Sequence, residues 1–95
     1  MSGTDTVAEI ETQRRIQRLP PYKLVLHNDD VNTFEHVIIT VMKLTPLSEI
    51  EAIEKTLEAH ESGRSILLVT NQERAELYVE QFASSGLIAT GEPDV

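Results

Sequence analysis

Hydrophobic and polar positions alternate from Tyr22 to Leu26, between a double proline (Pro20-Pro21) and the polar cluster His27-Asn28-Asp29-Asp30. That pattern predicts a strand followed by a loop. Asn32 with Glu35 three residues on has the spacing of a capping box and predicts a helix over 33–44. On it Phe34, Val37, Ile38, Val41, Met42 and Leu44 fill one arc of about 160° and form the expected core face. Pro46 ends that helix. Ser48 with Glu51 predicts a second helix over 49–61, closed by Gly63 as a left-handed cap. Its apolar stripe is Ile50, Ile53 and Leu57. The run Ser65–Val69 has strand length and continuous apolar character, which predicts a central strand. Thr70 with Glu73 marks a third box and a helix over 71–84, with Ala75, Tyr78, Val79 and Phe82 on one face. Gly86 breaks it, leaving Leu87–Thr90 as a last strand before an acidic tail, Glu92-Pro93-Asp94. The order β-α-α-β-α-β predicts an α+β domain, a small three-stranded antiparallel sheet packed with three helices.

Composition narrows what such a domain can do. The chain has 95 residues and a net charge of −8, enough for one small core. Residues 21–95 carry five Lys and Arg against thirteen Asp and Glu (5 − 13 = −8), while residues 1–20 are neutral (3 − 3). Phosphate affinity is built from clustered cations, so nucleic acid and anionic membranes are poor partners for this surface. The chain has no cysteine, which excludes disulfides, thiolate metal sites and cysteine nucleophiles. No apolar run reaches the ~18 residues of a membrane span, and the chain reads as soluble and cytoplasmic. Residues 1–20 hold few large apolar side chains and read as a flexible arm with at most a fraying helix over 8–18. That arm is either a terminus without a role or a tail that a partner grips.

The candidate chemistry gathers around His27-Asn28-Asp29-Asp30 and His60. A polar tetrad between a strand and a capped helix stands at the lip of the sheet, where binding residues often sit. It can equally be a set of Asx turns routing the chain into the helix. A calcium loop fails: counting from Asn28, the sixth position is Thr33 instead of Gly and the twelfth is Ile39 instead of Glu. A zinc site on His27, Asp29 or Asp30 and His60 has no supporting ligand spacing. His60, Thr56 and Ala59 line one flank of the second helix with an imidazole, a hydroxyl and a methyl. His60 is therefore either a boundary side chain reaching water or one wall of a shallow pocket. His36 projects from the back of the first helix. No setting for a nucleophilic serine surrounds Ser62, Ser65, Ser84 or Ser85.

The run Tyr22-Lys23-Leu24-Val25-Leu26-His27-Asn28-Asp29-Asp30-Val31-Asn32-Thr33-Phe34-Glu35-His36-Val37-Ile38 resembles the opening signature of the ClpS adaptors. The resemblance continues through Ala59-His60-Glu61-Ser62-Gly63-Arg64, similar to the family's His-x-x-Gly segment, and through Ala75-Glu76 and Val79. It covers residues 21–90. It implies an adaptor without enzymatic activity or cofactor. Such an adaptor binds proteins with a free, large hydrophobic N-terminal residue, an N-degron, and hands them to a Clp AAA+ unfoldase. Asn28, Asp29 and His60 would bind the α-amino group, with Asp30 facing the first peptide units or holding the loop. Asn32, Phe34, Val37, Thr56, Ala59 and Leu87 would form the side-chain pocket. An ammonium has three donors and no acceptor, so an amide oxygen, a carboxylate and an imidazole nitrogen suit it.

This chain departs from the family at several of these positions. The family usually has Met at the positions of Phe34 and Thr56 and a β-branched residue at that of Ala59, so aromatic and Leu termini are expected to bind with an altered ranking. Glu73 is retained at the surface offered to the unfoldase, Tyr78 replaces a lysine there, and Ser85-Gly86-Leu87 replaces His-Pro-Leu. A monomer is the simplest expectation. The alternative is a ClpS-like or ribosomal-stalk-like interaction domain that delivers no degron, although the stalk domain's Gly/Lys-rich helix is missing. A hydrolase built on Asp29 and His60 lacks a nucleophile.

Overall fold

The computed structural model describes residues 20–94, so the arm predicted over 1–20, Pro20 apart, lies outside the described residues. The elements are β1 (Tyr22–His27), α1 (Phe34–Leu44), α2 (Glu49–Ser62), β2 (Arg64–Thr70), α3 (Gln72–Ser84) and β3 (Ala89–Pro93). They run in the expected α+β order. Both strand pairings are antiparallel.

The sheet order is β2-β1-β3, so the first strand is central and the run around Ser65–Val69 is an edge. This corrects the expectation of a central strand there. Ser65 and Leu67 are buried, but Ile66 and Val69 are 41% and 53% exposed on the open face. In β1, Leu24, Val25 and Leu26 are all buried. Leu24 and Leu26 enter the core under the helices, while Val25 points to the opposite face by strand alternation. On that face Arg64 of β2 forms an ion pair with Glu92 of β3. Arg64 lies opposite His27 and Glu92 opposite Lys23, so the pair crosses the sheet diagonally over the row that holds Val25. The last strand also begins later than expected: Leu87 is buried in the core, and Glu92 and Pro93, predicted as tail, pair with Lys23 and Tyr22.

Capping follows hydrogen bonds that local spacing alone does not reveal. Ser48 and Glu51 form the expected reciprocal box on α2, with Glu51 N donating to Ser48 Oγ at 3.2 Å and Ser48 N to Glu51 Oε1 at 3.0 Å. The α1 cap is Thr33, whose Oγ1 accepts from His36 N at 3.1 Å, not Asn32. The α3 cap is Asn71, accepting from Arg74 N at 2.8 Å, not Thr70. Gly63 closes α2 at φ 91°, a conformation that L side chains rarely adopt.

The largest correction concerns α2. Its buried residues are Ala52, Thr56 and Ala59, while Ile50 and Leu57 of the expected stripe are 70% and 43% exposed. A face of methyl-sized side chains lets the helix approach the sheet closely, and the bulky residues rotate outward. On α1 the face also turns: Thr40 is buried, whereas Phe34 and Met42 are 46% and 39% exposed. On α3, Ala75, Tyr78 and Phe82 are buried as expected. The buried hydroxyls bond back to helix carbonyls: Thr40 to His36, Thr45 to Val41, Thr56 to Ala52 and Ser65 to Lys55, at 2.6–2.7 Å. No buried side-chain N or O among the described residues lacks a partner, so these polar groups sit in the core without the cost of an unmade bond.

Candidate functional site

The site stands where β1 ends. Its loop is fixed to two separate segments of chain, the turn after α3 and the cap of α2. His27 N donates to Ile88 O at 3.0 Å, Asn28 N to Gly63 O at 2.9 Å, and Asn32 Nδ2 to Gly86 O at 2.8 Å. Within the loop, Asp29 Oδ1 accepts from Val31 N at 3.0 Å and from Asn32 N at 2.7 Å. Asn32 Nδ2 adds contacts of 3.2 Å to both carboxylate oxygens. The Asx turn and the lip of a site are therefore the same structure. The backbone hydrogen bond from Asn32, reinforced by its side chain and by Val31 N, holds the Asp29 carboxyl below the usual carboxylate range despite some desolvation.

Behind this loop lies a narrow cleft with a cavity volume of about 20 Å³, room for little more than one water. Leu26, His27, Asn28, Asp29, Asn32, Phe34, Val37, Thr56 and Ala59 line it. The hydroxyl of Thr56 is bound to Ala52 O, which leaves its methyl as the part free to serve an apolar wall. Phe34 stands at the mouth, its ring set edge-on to His60 with centroids 4.8 Å apart and an 85° interplanar angle.

The twelve sequence-predicted positions divide by place. Asn28, Asp29, Asn32, Phe34, Val37, Thr56 and Ala59 meet at the cleft, and His60 reaches it through Phe34. Asp30 is exposed and outside the lining. Leu87 is also outside the lining, but it belongs to the same buried cluster as Leu26, Val37 and Ala59. Glu73 is exposed in the first turn of α3. Tyr78 is 8% exposed, with the Arg74 guanidinium 6.0 Å from its ring centroid, so Arg74 and Leu77 hold much of the exposed surface there. Sequence reasoning missed Leu26 as a lining residue. Its position at the end of a strand running into the polar loop was the available signal.

Among the described residues, no group of three or more His, Asp or Glu side chains is placed to hold a metal. Nor is any helix among them long and apolar enough to cross a membrane.

Comparison with known proteins shows which family shares this sequence and fold. Residues 17–90 match the family model described as ATP-dependent Clp protease adaptor protein ClpS. The ATP-dependent Clp protease adapter protein ClpS of Synechococcus elongatus is 36% identical over 93 residues, covering 97% of this chain and 98% of that protein. A chloroplastic Clp protease adapter of Arabidopsis thaliana is 33% identical over 88 residues, covering 92% of this chain and 55% of its own length. The solved structure of Agrobacterium tumefaciens ClpS2 bound to L-phenylalaninamide superposes with a TM-score of 0.75 at 28% identity. It covers 81% of this chain and 100% of that one.

Proposed function

The chain belongs to the ClpS family of ATP-dependent Clp protease adaptors, and from that premise we propose that its cleft binds the N-terminal residue of proteins destined for degradation. The observation that carries this reading is the placement of Asn28 and Asp29 at the lip of an apolar cleft walled by Phe34, Val37, Ala59 and the methyl of Thr56. A free α-ammonium meets a carboxylate, an amide oxygen and, beside Phe34, the His60 imidazole. The first side chain enters the apolar part as the half-exposed Phe34 at its mouth moves aside. The ligand of the Agrobacterium relative, L-phenylalaninamide, combines a free amine, a benzyl side chain and a carboxamide in place of the next peptide bond. Asp30, outside the cleft, is set to meet the first peptide units.

Magnitudes fit a modest binder. Burying a Leu or Phe side chain contributes about 1.5–3 kcal/mol, and each charge-assisted hydrogen bond roughly 1.5–3 kcal/mol. After the costs of ordering, a micromolar complex near −8 kcal/mol is the expected scale. The adaptor would act without catalysis or cofactor, as a monomer in the cytoplasm, delivering its cargo to a Clp AAA+ unfoldase. Glu73 with the Tyr78 region is the docking surface we assign to that unfoldase.

The test is a titration with peptides bearing Phe, Leu, Ala or N-acetyl-Phe termini, following the Asn28, Asp29 and His60 signals by NMR. Saturable binding of free Phe and Leu alone supports the reading. Binding of N-acetyl-Phe as tight as that of free Phe rejects it in favour of an interaction domain that ignores chain termini.

A further inference from the structure

The loop that carries Asn28 and Asp29 is joined to the turn after α3 by two side chains. Asn32 Nδ2 donates to Gly86 O at 2.8 Å, and His36 Nε2 donates to Ser85 O at 2.9 Å. Two consecutive carbonyls of one turn are thus held from the start of α1. The turn itself is tight, with Gly86 at φ 80°, and the next residue, Leu87, is buried in the same cluster as the cleft residues Leu26, Val37 and Ala59.

The amide of Asn32 can have only one orientation here. Its neighbours, the Gly86 carbonyl and the Asp29 carboxylate, are both acceptors, so the nitrogen must face them. One hydrogen goes to Gly86 and the other is shared between Asp29 Oδ1 and Oδ2 at 3.2 Å each. Oδ1 also receives Val31 N and Asn32 N. Oδ2 receives only the shared hydrogen.

We infer that Asn32 and His36 are positioning residues for the ligand: they lock the amine-binding loop to the turn that leads into Leu87, and Asn32 leaves Asp29 Oδ2 as the oxygen presented to the ammonium. This rests on the proposed amine-binding reading. It links the two halves of recognition, because the turn that anchors the charged lip also seats a residue packed in the apolar cluster behind the cleft.

The titratable groups around Asp29 are His27 of β1, which lines the same cleft, Asp30 next in the chain, His36 of α1 and His60 of α2. The Asp29 carboxyl is held low first by the backbone N–H of Asn32, then, against some desolvation, by the Asn32 side chain, by Val31 N and by the charge of His36. The test compares the wild type with Asn32→Ala, His36→Ala, His36→Gln and the Asn32→Ala/His36→Ala pair in two measurements. One is the Asp29 carboxyl titration by carbon NMR without ligand; the other is affinity for a free-Phe peptide across pH. Asn32→Ala keeps the backbone N–H on Oδ1 and loses only the side-chain bonds, so it should move the Asp29 midpoint up modestly, shift the acid limb of binding with it, and weaken binding about tenfold. His36→Ala should weaken binding about threefold, with His36→Gln close to wild type because its amide can still reach Ser85 O. The paired variant should lose less than the product of the single losses, since both side chains hold one turn. An unchanged Asp29 midpoint in Asn32→Ala, or strictly multiplicative losses, overturns the inference. A wild type indifferent to the free Phe terminus overturns the amine-binding reading beneath it, and that outcome is read from the wild type alone.

Discussion

The two halves of the cleft are built from different materials. The charged lip, Asn28 and Asp29, is solvated and held by hydrogen bonds within a loop. Apart from Phe34 at the mouth, the apolar wall, Leu26, Val37, Thr56 and Ala59, is made of residues at most 9% exposed that also belong to the protein interior. The lip can therefore be altered with little loss of stability, whereas the wall cannot be altered without disturbing the fold. Specificity for a chain terminus and specificity for its side chain consequently stand on unequal footings.

The largest expected effect comes from the wall. Leu26→Ala removes a side chain that is 2% exposed and should destabilise the protein by about 2–5 kcal/mol. Denaturant unfolding should show that loss together with weakened peptide binding. The lip should behave oppositely. Asp29→Asn keeps an oxygen for Val31 N and Asn32 N but loses the charge, so binding of a free-Phe peptide should fall by about 2 kcal/mol. Its unfolding midpoint should move little, and a large drop in stability would erase the contrast between lip and wall.

The rotated face of α2 gives a narrower test. Ala52→Leu should cost roughly 1–3 kcal/mol by overpacking, while Ile50→Lys should stay within about 0.5 kcal/mol. Equal costs would restore the stripe expected from periodicity. The smallest effect is on pH dependence. The folded Asp29 lies below its ordinary value, so its contribution is present above the unfolded carboxylate range, near pH 4, and is lost as pH falls through the depressed folded value. Thermal unfolding of wild type should therefore lose slightly more stability as pH falls below about 4 than that of Asp29→Asn.

Much of this architecture is legible in the chain because local chemistry decides it. The Ser48–Glu51 box and the Gly63 cap need only their own neighbours, and both stand where expected. Asn32 looked like a cap because its spacing to Glu35 was right, but its amide is drawn away by Gly86, 54 residues distant, and Thr33 takes the capping role. The α2 stripe misled for a related reason: periodicity locates bulky apolar residues, whereas close helix–sheet contact selects small ones. Which strand is central depends on pairings among three distant segments, and no single segment records it. The cleft residues were reachable through the Asn-Asp-Asp run and His60, while Leu26 resembled any other core residue.

The central position of β1 has a mechanical consequence. The loop that carries Asn28 and Asp29 follows its C-terminal end, and residues 1–19 join at its N-terminal end, a strand of six residues away, or roughly 20 Å. A pull on that N-terminal segment, resisted at the cleft, runs along β1 and loads the ladders to β2 and β3 together, in shear. A pull between the two chain termini instead starts at the Tyr22–Pro93 pair and opens one ladder from its end, bond by bond. The same sheet therefore resists force strongly along one axis and weakly along the other.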